Sequence, residues 1–291
     1  MRRHVARWVI QIGVLVGMFL AASAALAQDT VDLNAAGFSI PMLTAGARLE
    51  GALTDTVSAR LYGFQGSAGD VVSITMTQGS ARLDPFLVLF GADGTVIASD
   101  DDSGAATLLS AAIDGVTLPY DGAYLILATS LEHILGGSAV YETRTFSLAL
   151  NGITPLSGRS SSVFEVQAQP LAPGAVVSAE IAADRLGTFF LLRADARSAF
   201  DVIVQEADFD TVLHLFDSTG ARVAVNDDDP SRGDLTSGVY AVTATAAERV
   251  TDLPYLAVVT DVFFYVINAD RAAEVMPQFE GGSVSVTMQA G

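Results

Sequence analysis

The chain has 291 residues, with 15 basic residues against 33 acidic, no Cys, three His and 51% hydrophobic content. The acidity excludes the basic footprint of a nucleic-acid or anionic-membrane binder, and the hydrophobic content excludes general disorder. Zero Cys excludes disulfides, thiol nucleophiles and Cys-based zinc sites, while the length suits one large or two modest cores.

Residues 1–27 read MRRHVARWVIQIGVLVGMFLAASAALA: a basic start, an apolar run from Trp8 to about Ala22, then small residues. Ala25-Leu26-Ala27 has the A-x-A form, so the stretch is predicted to be a signal peptide cleaved before Gln28. An uncleaved anchor is the alternative, since the run is long enough to span a bilayer. Arg2-Arg3 is a weak twin-arginine signal, and a lipoprotein is excluded for want of a Cys. The expected location is the medium, the cell surface or the periplasm, with no membrane span after cleavage. Arg2, Arg3 and Arg7 would leave with the leader, so the remainder carries 12 basic residues against 33 acidic ones, a charge of −21. Trp8, the only Trp, would leave too.

Beyond residue 27 a repeat organises the chain. LDPFLVLFGADGTVIASDDDSG (residues 83–104) aligns without gaps on FDTVLHLFDSTGARVAVNDDDP (residues 209–230), pairing Asp84 with Asp210, Gly94 with Gly220 and Asp101 with Asp227. Upstream, LTAGARLEGALT (residues 43–54) parallels LAPGAVVSAEIA (residues 171–182). Downstream, Asp121 to Ile126 resembles Asp261 to Val266, which implies an insertion within residues 230–258. The expected organisation is a first module over 28–150, a linker over 151–170 rich in Pro, Gly and Ser, and a second module over 171–291.

Each copy reads as β. Ile74 and Met76 have the period-two spacing of a strand face. Phe86–Phe90, then Asp93-Gly94, then Thr95–Ser99 reads as strand, tight turn, strand, and Thr219-Gly220 repeats the turn. Seven or eight short strands per copy predict two tandem antiparallel β-sandwiches, with the fully apolar runs Phe86–Phe90 and Phe263–Ile267 deep inside.

The stretch from Leu43 to Thr129 resembles the bacterial pre-peptidase C-terminal domain family. The resemblance rests on Gly46, Tyr62-Gly63-Phe64, Ala68-Gly69-Asp70, Leu83-Asp84-Pro85-Phe86, Ala92-Asp93-Gly94-Thr95, Asp100-Asp101-Asp102 and Asp121-Gly122-Ala123-Tyr124. The second copy is more divergent: Arg197 stands opposite Gly69, and Val262 stands opposite Gly122. The resemblance implies a jelly-roll-like sandwich that accompanies secreted peptidases without being the catalyst; some relatives bind calcium and some bind matrix polymers. No peptidase domain is expected between the predicted leader and the repeats.

Two acidic clusters recur at matched places, Asp100-Asp101-Asp102 and Asn226-Asp227-Asp228-Asp229. With Asp84 and Asp210 they could supply the carboxylate oxygens that Ca²⁺ requires, although the alternating pattern of an EF-hand is absent. The competing reading is a solvated turn, with Asp84 and Asp210 accepting backbone N–H groups. His133 and His214 are isolated, no G-x-S-x-G occurs and no zinc-protease motif is present, so the expectation is not an enzyme. Tyr120 and Tyr255, each after Leu-Pro, are the tyrosines expected to be exposed enough for a ligand platform. The resulting expectation is an exported, non-catalytic binding or adhesion protein, with Ca²⁺ as a possible stabiliser and an extracellular polymer or secreted protein as partner. The alternatives are a self-assembling surface protein and an accessory or cryptic hydrolase.

Overall fold

The computed structural model describes residues 28–80, 82–104, 110–134, 143–154, 163–228, 237–244, 252–261, 264 and 281–290. They form an all-β structure. The early strands are β1 (Asp29–Asp32), β2 (Arg48–Leu53), β3 (Ala59–Gly66), β4 (Val71–Gln78), β5 (Pro85–Gly91), β6 (Val96–Asp100), β7 (Ala111–Thr117), β8 (Gly122–Ser130) and β9 (Arg144–Asn151). The later ones are β10 (Glu165–Leu171), β11 (Val176–Ile181), β12 (Gly187–Asp195), β13 (Ala199–Ala207), β14 (Thr211–Phe216), β15 (Arg222–Asn226), β16 (Gly238–Thr243), β17 (Asp252–Asp261) and β18 (Gly282–Ala290).

Four sheets result, ordered β2-β9-β4-β7, β3-β8-β5-β6, β11-β18-β13-β16 and β1-β10-β12-β17-β14-β15. Strand for strand, the order of the first two recurs in the last two, with β10 and β1 added beside β12. Pairing is antiparallel except between β10 and β12. The end of the expected linker thus forms β10, an interior strand, and β1 joins the sheet of the later strands through pairing from Asp29↔Ala168 to Asp32↔Glu165.

Side-chain alternation explains the layers. In β4, Val72, Ile74 and Met76 are fully buried, while Val71 is exposed; this is the half-buried strand pattern. In β5 every residue is buried, because its sheet is covered on both faces. Leu87 and Leu89, with Tyr62, Phe64, Tyr124 and Ile126, face β4 and β9 in one apolar cluster. Phe86, Val88 and Phe90, with Leu61, Leu125 and Leu127, join a second cluster shared with β12, β14 and β17. A strand buried on both sides reads as a continuous apolar run, which is why periodicity vanishes there.

The seam between the early and late strands is reciprocal. The β5–β6 turn places Gly94 against the backbone of Thr188 at the start of β12, and the β14–β15 turn places Gly220 against the backbone of Leu61 in β3. A Cβ at either glycine would stand 2.8 Å from that backbone. Leu61 N–H donates to the Gly220 carbonyl at 2.7 Å, and Gln167 N–H donates to the Ala92 carbonyl at 2.7 Å. The rings of Phe90 and Phe189 meet edge to face at 6.0 Å.

Register corrects one expected equivalence. Phe64 pairs with Tyr124 in β8, and Leu192 pairs with Tyr255 in β17. Since Phe64 and Leu192 are equivalent, Tyr255 matches Tyr124, and the counterpart of the Asp121–Ile126 stretch lies in β17 rather than at Asp261–Val266. Strand β17 therefore begins inside the region expected to be an insertion, residues 230–258. Of the apolar run Phe263–Ile267, only Phe264 lies among the described residues, and it is fully buried.

Candidate functional sites: the acidic loops and the seam cleft

The first acidic loop divides its carboxylates between two tasks. Asp100, at the end of β6, is 5% exposed. It accepts N–H groups from Ala112 at 2.6 Å and Ser103 at 3.1 Å, and the Ser103 hydroxyl also donates to it. It therefore clamps the loop to the start of β7, satisfying backbone donors that burial would otherwise strand. Asn226 does the same in the later half, accepting Gly238 N–H at 3.4 Å. Much of the matched spacing of the two clusters is this shared clamp.

The remaining acids sit close together. Burial, then Glu132 and Asp102, hold the Asp84 carboxyl above its usual range, with Arg144 opposing. Burial, then Asp102 and Asp100, raise Asp101 likewise. Glu132 comes from a 3-10 turn at Leu131–His133, tied down by Leu131 N–H donating to the Asp84 carbonyl at 2.9 Å, and it pairs with Arg144 at 2.6 Å. Nothing local in the sequence links Glu132 to Asp84; the β5–β8 pairing does. In the later half Asp210 and Asp227 are half-buried, Asp228 is exposed, and Asp229 lies outside the described residues. Among the described residues, no three His, Asp or Glu side chains are arranged to hold a metal ion.

Both described histidines face inward. His133 is 4% exposed, with Nδ1 at 2.5 Å from the Ser130 hydroxyl. His214 is wholly buried and stands at the seam, where burial and then Arg222 hold it well below its usual range and therefore neutral. Arg222 is itself buried, with its guanidinium against Ser58 Oγ at 2.9 Å, the His133 carbonyl and His214 Nδ1 at 3.3 Å. Its described contacts are all to neutral groups, and burial pushes it down to about 9.

The tyrosine expectation divides. Tyr255 is 3% exposed, part of the core rather than a platform, because β17 buries it where β8 buries Tyr124. Tyr120 stays half-buried in the loop before β8. Its ring stacks on Tyr124 at 5.0 Å and 11°, and its hydroxyl accepts the Ala92 N–H at 2.5 Å. Burial pushes its phenol well above the usual value, and pushes Tyr124 up to about 12.

Tyr120 lines a cleft of about 650 Å³ on the seam, within the size range of ligand sites. The cleft is lined by residues of β1 and β10, by Asp93, Asp121 and Ala123, and by Arg185 from the turn before β12. Arg185 pairs with Asp93 at 3.0 Å. Gln65 also lines it, its amide donating to the Val163 carbonyl at 2.9 Å. Glu165 and Arg185 escaped sequence reasoning because they join Tyr120 only through the seam. The available signal was the β-rich Val163–Val166 stretch, which marks a strand without naming its neighbours.

Among the described residues, no helix is long and apolar enough to cross a membrane. No family model matches the chain, and no curated protein matches it. Among solved structures, the pre-peptidase C-terminal domain of a Bacillus anthracis collagenase is similar at 11% identity and a TM-score of 0.30, covering 39% of this chain and 96% of that one. A periplasmic inhibitor of g-type lysozyme from Aeromonas hydrophila is similar at 18% identity and a TM-score of 0.28, covering 39% and 95%. Tripeptidyl peptidase 2 is similar at 10% identity and a TM-score of 0.25, covering 85% of this chain and 24% of its own. Likenesses at this level carry no function across.

Proposed function

We propose that the chain is an exported, non-catalytic binding or adhesion protein, built from two duplicated β-sandwich modules of pre-peptidase C-terminal type. It engages an extracellular polymer or secreted partner through the seam cleft. The cleft carries this reading: it is a ligand-sized concavity with an aromatic wall and convergent polar groups. The burial of both described imidazoles supports a non-catalytic role, since a general base must reach its substrate. The test is co-sedimentation of the leader-free chain with a panel of insoluble extracellular polymers, comparing wild type with Glu165→Trp, which fills the cleft from an exposed position. Binding abolished by the Trp supports the reading; binding that survives it removes the cleft, and turnover of a substrate panel removes the non-catalytic assignment.

The same proposal includes Ca²⁺ at the acidic loops. Asp84, Asp101, Asp102 and Glu132 carry carboxylates of the kind a hard cation takes and would have to draw together around it; the ion would offset the repulsion that adds to burial in raising Asp84 and Asp101. Asp100 is committed to backbone N–H groups. Asp210, Asp227, Asp228 and Asp229 are the corresponding candidates in the later half. By linkage, added Ca²⁺ should raise the melting temperature of the wild type and not that of Asp101→Asn/Asp102→Asn; identical curves with Ca²⁺ and with chelator reject the site.

A further inference from the structure

We infer that the seam cleft takes a cationic stretch of peptide, an extended segment bearing Arg or Lys, and that Arg185 holds the place of its charge on Asp93. This rests on the binding function proposed above and names the ligand class for the same site.

Charge comes first. Among the described residues, three carboxylates line the cleft, Asp93, Asp121 and Glu165, against one guanidinium, that of Arg185. Two are anchored by backbone donors: Asp93 accepts Thr95 N–H at 3.1 Å, and Asp121 accepts Ala68 N–H at 2.8 Å. A carboxylate has about four acceptor positions, so these bonds fix the groups without saturating them. Glu165 is exposed. That excess attracts a cation and repels an anion, while a neutral ligand gains nothing from it.

The rest of the wall suits the same occupant. Tyr120 and Ala92, both half-buried, give an apolar surface for the aliphatic stem of Arg or Lys. Tyr124 covers one face of the Tyr120 ring, so the cleft relies on its carboxylates more than on aromatic stacking. The volume exceeds what one side chain needs, so a short segment of peptide fits. The chain as a whole is strongly acidic, and its field would steer a basic segment inward.

Arg185 is the diagnostic residue. Its pair with Asp93 is half-exposed, 39% on the Arg side and 14% on the Asp side, so a ligand guanidinium can displace it. Removing Arg185 frees Asp93 and lifts a positive charge from the cleft, so it should tighten binding.

The experiment is calorimetric titration of the leader-free chain with a capped Gly-Arg-Gly-Arg-Gly peptide and its neutral citrulline twin. Glu165→Gln and Asp121→Asn should each weaken the Arg peptide about two- to fivefold, and Arg185→Ala should tighten it by a similar factor, as partly exposed charge pairs allow. Arg48→Ala, which removes the same charge from a distant exposed pair with Glu50, should leave affinity unchanged. High salt should weaken binding. Equal affinity for the citrulline twin, no binding of the Arg peptide, or equal effects of Arg185→Ala and Arg48→Ala would each overturn the inference. Polymer binding that Glu165→Trp abolishes would then still stand, so the two proposals fail separately.

Discussion

Arg197 is the one non-glycine among the described residues with a left-handed backbone, at φ 68°, and it stands where the earlier half has Gly69 at φ 85°. The turn demands this conformation: Arg197 N–H donates to the Ala244 carbonyl at 2.8 Å, as Gly69 N–H donates to the Leu118 carbonyl at 2.9 Å. The Arg197 side chain is exposed and makes no ion pair among the described residues. Arg197→Gly thus removes left-handed strain of about 1–2 kcal/mol. The added freedom of the unfolded chain offsets about 0.4–1 kcal/mol of that. The net expectation is a gain of about 0.5–1 kcal/mol, or about 2–4 °C in melting temperature per kcal/mol for a chain of this size. The mirror variant, Gly69→Ala, should lose a similar amount, because its new Cβ meets nothing within 4 Å and only φ is strained. Urea unfolding of the leader-free chain at constant m-value measures both. If Arg197→Gly is neutral or destabilising while Gly69→Ala loses stability, the strain at position 197 is not real and the reasoning fails.

Three further outcomes follow from the same geometry. Gly94→Val and Gly220→Val should each cost about 2 kcal/mol or more, combining positive φ with a Cβ pressed on opposing backbone; Gly46→Val, at φ 71° with open space around it, should cost clearly less. Arg222→Ala should cost about 2–5 kcal/mol as a buried truncation, while Arg222→Met should recover most of that by filling the space without a buried charge; denaturant titration would show the order, and equal losses would contradict it. For pH, Asp84 and Asp101 have raised folded values, so their ionisation removes stability as pH rises from the ordinary 3.8 through those values, and acidification across that window restores it. Below 3.8 both states hold the proton and the contribution of these two groups is flat. For Asp70, burial opposes but the N–H groups of Thr154 and Ser67 prevail; Asp208 is held low by Ser283, and stability falls as each protonates. Asp84→Asn and Asp101→Asn should therefore each add about 0.2–1 kcal/mol near neutral pH and nothing at pH 3; a gain that persists at pH 3 would assign the effect to packing instead.

How far the sequence reached depends on the range of the interaction that decides each feature. The hairpin at Asp93-Gly94 and the strand face of Ile74 and Met76 were legible because turn chemistry and period-two alternation act within a few residues. Tyr120 was singled out by the same Leu-Pro-Tyr word as Tyr255, and it stays half-buried beside the cleft. Tyr255 was misplaced because Leu-Pro-Tyr is a local word, while its position is set by pairing with Leu192 across the sheet. The clamps made by Asp100 and Asn226 recur because the same strand follows each loop; the sequence showed the recurrence and left the chemistry open between ligand and turn.

By itself the sequence determined the β character, the repeated strand pattern and the acidic balance. All three are written in composition, alternation and self-similarity, which survive without any partner. The tertiary structure decided which faces meet. It put β1 beside β10, buried β5 on both sides, set Arg222 among neutral groups, and gathered Glu165, Arg185, Asp93 and Tyr120 around one cleft. Those neighbours lie far apart in the chain and are joined only by sheet pairing and by the reciprocal docking of two hairpin tips, a non-local packing that no window of residues contains.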